Sequence, residues 1–152
     1  MIETQDVLDF QKRWGDGIIN IGRSFHEGLD YLNETKVFID ALYAFRQEVV
    51  LFKPTLASDH QFRLDETSAL SYFAGGNDDY SEDAGFAIRG WKKIRWDNAG
   101  INILNDCALC MGNYFFSQDN EDDLKVEYSM VIKKIDGKLK IILHDSHLPF
   151  QK

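Results

Sequence analysis

Apolar residues near the start of the chain recur at helical spacing: Val7, Phe10, Trp14, Ile18, Ile21 and Phe25 are 3, 4, 4, 3 and 4 residues apart. A single stripe of that length predicts a long amphipathic helix. Gly15, Gly17 and Gly22 interrupt it, each costing up to about 1 kcal/mol of helix propensity, which implies close packing of this helix against a sheet. Gly28 ends it. A second helix is expected from about Asn33 to Phe45, with Phe38, Leu42 and Phe45 turned inward. The segment Val49 to Phe52 reads as a short buried strand stopped by Lys53-Pro54. A third helix fits Asp65 to Phe73, with Asp65 as its cap and Gly75-Gly76 closing it.

From Trp91 the period changes to two. Lys93 to Trp96, Cys107 to Ser117, Leu124 to Lys134 and Lys138 to His147 are strand-like runs. Asp136-Gly137 is a strong two-residue hairpin signal, Asn105-Asp106 marks a second turn, and the acidic stretch 118–123 a longer third. Short connections between successive strands predict an antiparallel meander, and helices followed by a meander predict an α+β fold with the helices on one face.

At 152 residues the chain fits one domain, taken as residues 1–152. The aromatic fraction of 13%, with 11 Phe and 3 Trp, suits a bulky core with room for a cavity. A net charge of −8 argues against nucleic acid or an anionic membrane as partner, because phosphate binding needs a basic face. Asp78, Asp79, Glu82 and Asp83, and then Asp119, Glu121, Asp122 and Asp123, lie among Asn, Ser and Gly and read as solvated loops. Neither run has the spacing of a calcium loop. No apolar run approaches the roughly 20 residues of a membrane helix. The acidic, amphipathic opening Met1 to Phe10 is unlike a signal peptide, so a cytoplasmic location is expected.

Cys107 and Cys110 have C-x-x-C spacing. They lie on a strand-like run with no second pair and no adjacent basic residue, where residues three apart face opposite ways. Buried, inert thiols are expected. Zinc catalysis generally takes three protein ligands, and the four histidines do not supply them. His26 is on the first helix, His60 is in a loop, and His144 and His147 diverge on a strand.

Several short segments occur in one order: Trp14-Gly15-Asp16, Leu51-Phe52-Lys53-Pro54-Thr55, Gln61-Phe62-Arg63, Ser71-Tyr72-Phe73 with Gly75-Gly76, Asp97-Asn98-Ala99-Gly100-Ile101, Met111 to Phe116, Lys125-Val126-Glu127-Tyr128, and Leu143 to Pro149. Over about residues 14–149 they resemble the bacterial proteins related to the calcium/calmodulin-dependent kinase II association domain, a group that includes the iota-class carbonic anhydrases. The resemblance implies a cone-shaped nuclear-transport-factor-like fold, with N-terminal helices on a curled antiparallel sheet. It also implies a homodimer through the sheet's outer face, with surplus strand aromatics as a further motive.

For function it implies reversible hydration of CO2 to bicarbonate in the cone's pocket, or lyase chemistry on a similar small substrate, without a cofactor; the partner is CO2/bicarbonate or another small anion, and zinc or manganese stays open. By motif match the site residues would be Thr55, Tyr72, His144 and Ser146, with hydroxyls holding the anion and His144 as base or hydrogen-bond partner. Apolar walls would come from Phe52, Phe73, Trp91 and Phe115. Each residue has a structural reading as well: Thr55 as a turn cap, Tyr72 as a core aromatic, His144 as a hydrogen-bonded core histidine. The other function left open is a non-catalytic ligand-binding or oligomerisation domain.

The family pattern ends Leu-His-His-Ser-Ser-Leu-Pro. This chain has Asp145 and His147 in place of the second His and the second Ser. Leu139, Ile141 and Leu143 are in phase with Asp145 and His147, so a regular strand turns that altered pair toward the core. A bulge near the strand end reverses the outcome.

Overall fold

The computed structural model describes residues 1–152. Helix α1 (Thr4–His26) opens with a capping box between Glu3 and Asp6. It buries Val7, Phe10, Trp14, Ile18 and Ile21 as expected, while Phe25 at its end is 38% exposed. Its glycines do allow close approach, but to three different neighbours. A Cβ at Gly15 would touch Ile94 of the sheet at 3.4 Å, one at Gly17 would overlap the Phe38 ring at 2.5 Å, and one at Gly22 would meet the Ala87 carbonyl at 2.8 Å. Only the first of these is packing against the sheet.

Helix α2 (Tyr31–Leu42) is capped by the Asp30 side chain on the Asn33 N–H. It begins and ends earlier than its apolar residues suggest, and Phe45 lies beyond it. The chain then runs parallel to the final strand, with a bridge from Tyr43 to Ile141, and enters β1 (Leu51–Lys53). Helix α3 (Glu66–Ala74) is capped by Asp65, whose carboxylate accepts from Ser68 N–H at 2.8 Å.

The meander comprises β2 (Lys93–Ile103), β3 (Cys107–Ser117), β4 (Leu124–Ile135) and β5 (Lys138–His147). The β4–β5 turn uses Asp136 and Gly137, both at positive φ (50° and 78°), as a primed two-residue turn requires. β2 continues past Trp96 through a bulge between Asn98 and Gly100. The sheet order is β1-β5-β4-β3-β2, and β1 pairs with β5 in parallel. The sheet is therefore mixed, and the expectation of a wholly antiparallel one is corrected at that edge. The remaining architecture is α+β, with three helices on one face.

β5 carries a register shift: Ile132 pairs with Ile141 and Val131 with Leu143, leaving Ile142 as the extra residue. Before it Ile141 is buried; after it His144 and Ser146 are. The bulge inverts the alternation within one strand, so the outcome for a regular strand is overturned. Asp145 and His147 face outward, with side chains 46% and 47% exposed.

Candidate active site

β5 has neighbours on both sides, so the backbone around His144 is held by two ladders. In these, Met130 of β4 and Phe52 of β1 are its register partners. The imidazole stacks on Phe52 (5.2 Å, 19°) and meets Trp14 of α1 edge-on (5.8 Å, 83°). It is 1% exposed. Burial disfavours the imidazolium and pushes the pKa of His144 down to about 3, so the ring is neutral at physiological pH.

Its tautomer follows from counting partners. Trp14 Nε1–H donates to the Tyr43 hydroxyl oxygen at 3.1 Å, and that hydroxyl lies 2.9 Å from His144 Nδ1. A proton on Nδ1 would leave the buried Tyr43 hydroxyl hydrogen without an acceptor. Tyr43 therefore donates to Nδ1, and His144 carries its proton on Nε2. That nitrogen faces the Tyr114 hydroxyl at 3.1 Å and Ser146 Oγ at 3.0 Å. The two hydroxyls are also bonded to each other. Nε2–H donates to one of them and their mutual bond uses one of two O–H groups, leaving one O–H for a further partner.

That cavity, about 10 Å³, is lined by Thr55, Tyr72, Tyr114, His144 and Ser146 among Trp14, Phe52, Phe73 and Phe86. The four residues named from sequence thus share one space that has room for about one water molecule. Both ring nitrogens of His144 are taken up by hydroxyls. No group of three or more His, Cys, Asp or Glu side chains is arranged to hold a metal ion. Burial raises the phenol pKa values of Tyr72, Tyr114 and Tyr43, so these are hydroxyl donors rather than phenolates at neutral pH. Thr55 and Ser146 moderate that rise at Tyr114, as the Leu56 N–H and Thr55 do at Tyr72.

Two of the expected walls are corrected. Phe115 is on the other face of β3, its ring 4.1 Å beneath the Arg95 guanidinium. Trp91 packs behind Phe86 and Phe116, donating from Nε1 to the Phe86 carbonyl. The wall positions go instead to Trp14 and Phe86. Sequence reasoning also missed Tyr43 and Tyr114. Tyr114 had a signal, since it is in phase with Ala108, Cys110 and Phe116 on the buried face of β3. Tyr43 had none, because its partner is 101 residues away.

The loop bearing Thr55 is held by charges read from sequence as a solvated run. Arg63, fully buried, pairs with Asp83 through two bonds of 2.7 and 2.8 Å and donates to the carbonyls of His60 and Ser68. Ser71 donates to Asp83 at 2.6 Å. Glu82 accepts the backbone N–H groups of Ser58, Asp59 and His60. These N–H bonds, Ser58 foremost, hold its carboxyl down at about 2. Tyr72 accepts from Leu56 N–H at 3.2 Å. Thr55 and Tyr72 are thus set against each other by a network spanning residues 56–83. By contrast, Asp119, Glu121, Asp122 and Asp123 are exposed, as expected of a solvated loop.

Cys107 and Cys110 are unpaired, with Cys110 buried and its alternate-face neighbour partly exposed. His147 bonds Glu127 at 2.9 Å, far from the cavity in its contacts, and His26 and His60 line no part of it.

Comparison with known proteins places this geometry in context. Residues 5–148 match the family of metal-independent carbonic anhydrases. A metal-independent carbonic anhydrase of Nostoc sp. (strain PCC 7120 / SAG 25.82 / UTEX 2576) is 36% identical over 155 residues, covering 99% of this chain and 76% of that protein. The crystal structure of a cyanobacterial iota-carbonic anhydrase complexed with bicarbonate superposes with a TM-score of 0.95 at 34% identity, covering 99% of this chain and 94% of the other. A Xanthomonas campestris structure described as a calcium/calmodulin-dependent protein kinase II association domain, 17% identical, matches with a TM-score of 0.64 over 100% of this chain and 91% of its own, and shares the fold.

Proposed function

Because the chain belongs to the metal-independent carbonic anhydrase family, we propose that it interconverts CO2 and bicarbonate in the cavity of Thr55, Tyr72, Tyr114, His144 and Ser146, without a metal or other cofactor. The observation that carries the reading is the neutral, Nε2-protonated His144. It donates toward the Tyr114–Ser146 hydroxyl pair, which lines the cavity and keeps one O–H for a further partner.

Hydration joins a water oxygen to the carbon of CO2, places negative charge on the former CO2 oxygens, and releases one proton to solvent. Aromatic walls suit the apolar substrate. Hydroxyls of Thr55, Tyr72 and Ser146 suit the trigonal anion, because each donates one bond and rotates to meet it. Donors held ready where charge develops stabilise the transition state without reorganisation. His144, with its pKa near 3, is too weak a base to hold the released proton at neutral pH. Its part is to orient the hydroxyl pair.

Stopped-flow CO2 hydration with and without chelator tests the reading. The expected result is activity that chelator leaves unchanged, and Tyr72→Phe is expected to lower it with little loss of stability. A chain that binds bicarbonate but hydrates no CO2 would be a binding domain and would overturn the catalytic reading.

The same proposal takes residues 1–152 as one domain. A cytoplasmic location is supported by the two unpaired cysteines; no helix is long and apolar enough to cross a membrane. It includes a homodimer through the outer sheet face. Surplus aromatics do not support the dimer, since Tyr114, Phe116 and Tyr128 pack inward. Aliphatic side chains do: Leu109 and Met111 are 38% and 56% exposed beside Val131 and Leu143. Light scattering that gives a monomer at micromolar concentration would remove the dimer from the proposal.

A further inference from the structure

The site cavity is too small for its substrates as it stands: about 10 Å³ holds a water, whereas CO2 has three heavy atoms and bicarbonate four. Substrate therefore reaches it by displacing side chains, and the adjoining cavities show where. A second cavity of about 80 Å³ lies behind Tyr72. Tyr72 and Phe86 line both spaces, and the consecutive residues Thr55 and Leu56 line one each. The two shared rings are stacked at 5.6 Å and 15°, forming the partition.

Another neighbouring cavity touches the site through Phe52 and His144. These are register partners on β1 and β5, so the sheet ladder closes that side. A ring pair swings aside by rotamer change; a ladder does not.

At the outer cavity both carboxylates are engaged by partners and one cation, Arg89, is not. Asp83 is bonded through both oxygens by Arg63 and Ser71, and Glu82 is occupied by three backbone N–H groups and Arg63. Arg89, exposed at the mouth, makes no salt bridge, and its guanidinium rests only over the Trp91 ring at 5.5 Å. Its charge reaches the partition, where it partly offsets that of Asp83 at the Tyr72 hydroxyl.

We propose that CO2 and bicarbonate pass between solvent and the site through this outer cavity, that the Tyr72–Phe86 pair is its gate, and that Arg89 draws the anion to the mouth. The proposal rests on the carbonic anhydrase reading, and makes Arg89 a positioning residue rather than a catalytic one.

Two variants test it. Ala84 lines the outer cavity and is exposed, so Ala84→Trp fills the mouth without entering the core. It should lower kcat/KM at least tenfold, by the same factor in hydration and dehydration because the overall equilibrium is fixed, with an unchanged unfolding temperature. Arg89→Gln should lower kcat/KM for bicarbonate by about three- to tenfold at low salt, within the range of electrostatic steering. That deficit should shrink as salt screens the wild type, and Arg89→Lys should restore most of it. An active wild type whose Ala84→Trp and Arg89→Gln variants keep full rates would overturn the port and leave the carbonic anhydrase reading standing. An inactive wild type would overturn both.

Discussion

Four consecutive residues of β5 behave as two pairs. His144 and Ser146 are 1% exposed and bonded to each other and to Tyr114, whereas Asp145 and His147 stand half in solvent on the opposite face. The inner histidine is neutral down to about pH 3 because burial disfavours its charged form. The outer one bonds Glu127 at the surface. Residue type alone says little about the two histidines; the face decides. The departures from the family pattern, Asp145 and His147, belong to the outer pair and line no part of the cavity.

The largest expected contrast is in activity. Removing a positioned hydroxyl or its support, as in Ser146→Ala or His144→Ala, should cost about 10²-fold or more in kcat, the usual effect of losing one such donor. The double change Asp145→His with His147→Ser should stay within about twofold of wild type in the same assay, since nothing it alters touches the cavity. A double variant as damaged as Ser146→Ala would break the comparison.

Next comes the support of the inner pair. Tyr43→Phe removes the donor to Nδ1 and leaves that nitrogen and Trp14 Nε1–H buried without partners. Urea unfolding should show a loss of about 1–3 kcal/mol, and nitrogen NMR of His144 should show its tautomer no longer fixed. A rate and tautomer unchanged from wild type would sink the partner-counting argument.

The pH dependence sharpens the same contrast. His144 binds its proton far more weakly folded than unfolded, 3 against an ordinary 6.5. Between those values the unfolded chain holds the extra proton, so stability is full above about pH 6.5 and falls as pH drops toward 3. Glu82, with its carboxyl lowered to about 2, adds a loss in the same direction below about pH 4.5. His144→Asn should flatten the slope between pH 6.5 and 4.5 by about one proton. The smallest effect belongs to the outer face: Glu127→Gln removes a partner from His147 where both are more than 40% exposed, and should change stability by about 0.5 kcal/mol or less.

Much of this fold was legible in local pattern. The α1 stripe, the Asp65 cap, the Asp136-Gly137 turn and the bounds of β3 and β5 follow from periods and propensities within a few residues of each position. Thr55, Tyr72, His144 and Ser146 came from motif resemblance, and the fold brings them to one cavity. The motif did not carry their orientation. Alternation read outward from Leu139 put His144 on the wrong face, because it assumed a regular β5, which the extra residue Ile142 interrupts.

What the chain determined by itself is therefore the set of elements, since helix and strand periods depend on neighbours along the sequence. Only the tertiary structure decided which face of β5 lines the site, since the Ile142 bulge is a property of pairing with β4. Tertiary structure likewise placed Tyr43 beside His144, Tyr114 beside Ser146, and Asp83 against Arg63, pairs separated by 101, 32 and 20 residues. A buried polar group takes whatever partner the packed core presents, and that choice exists only once the core has closed.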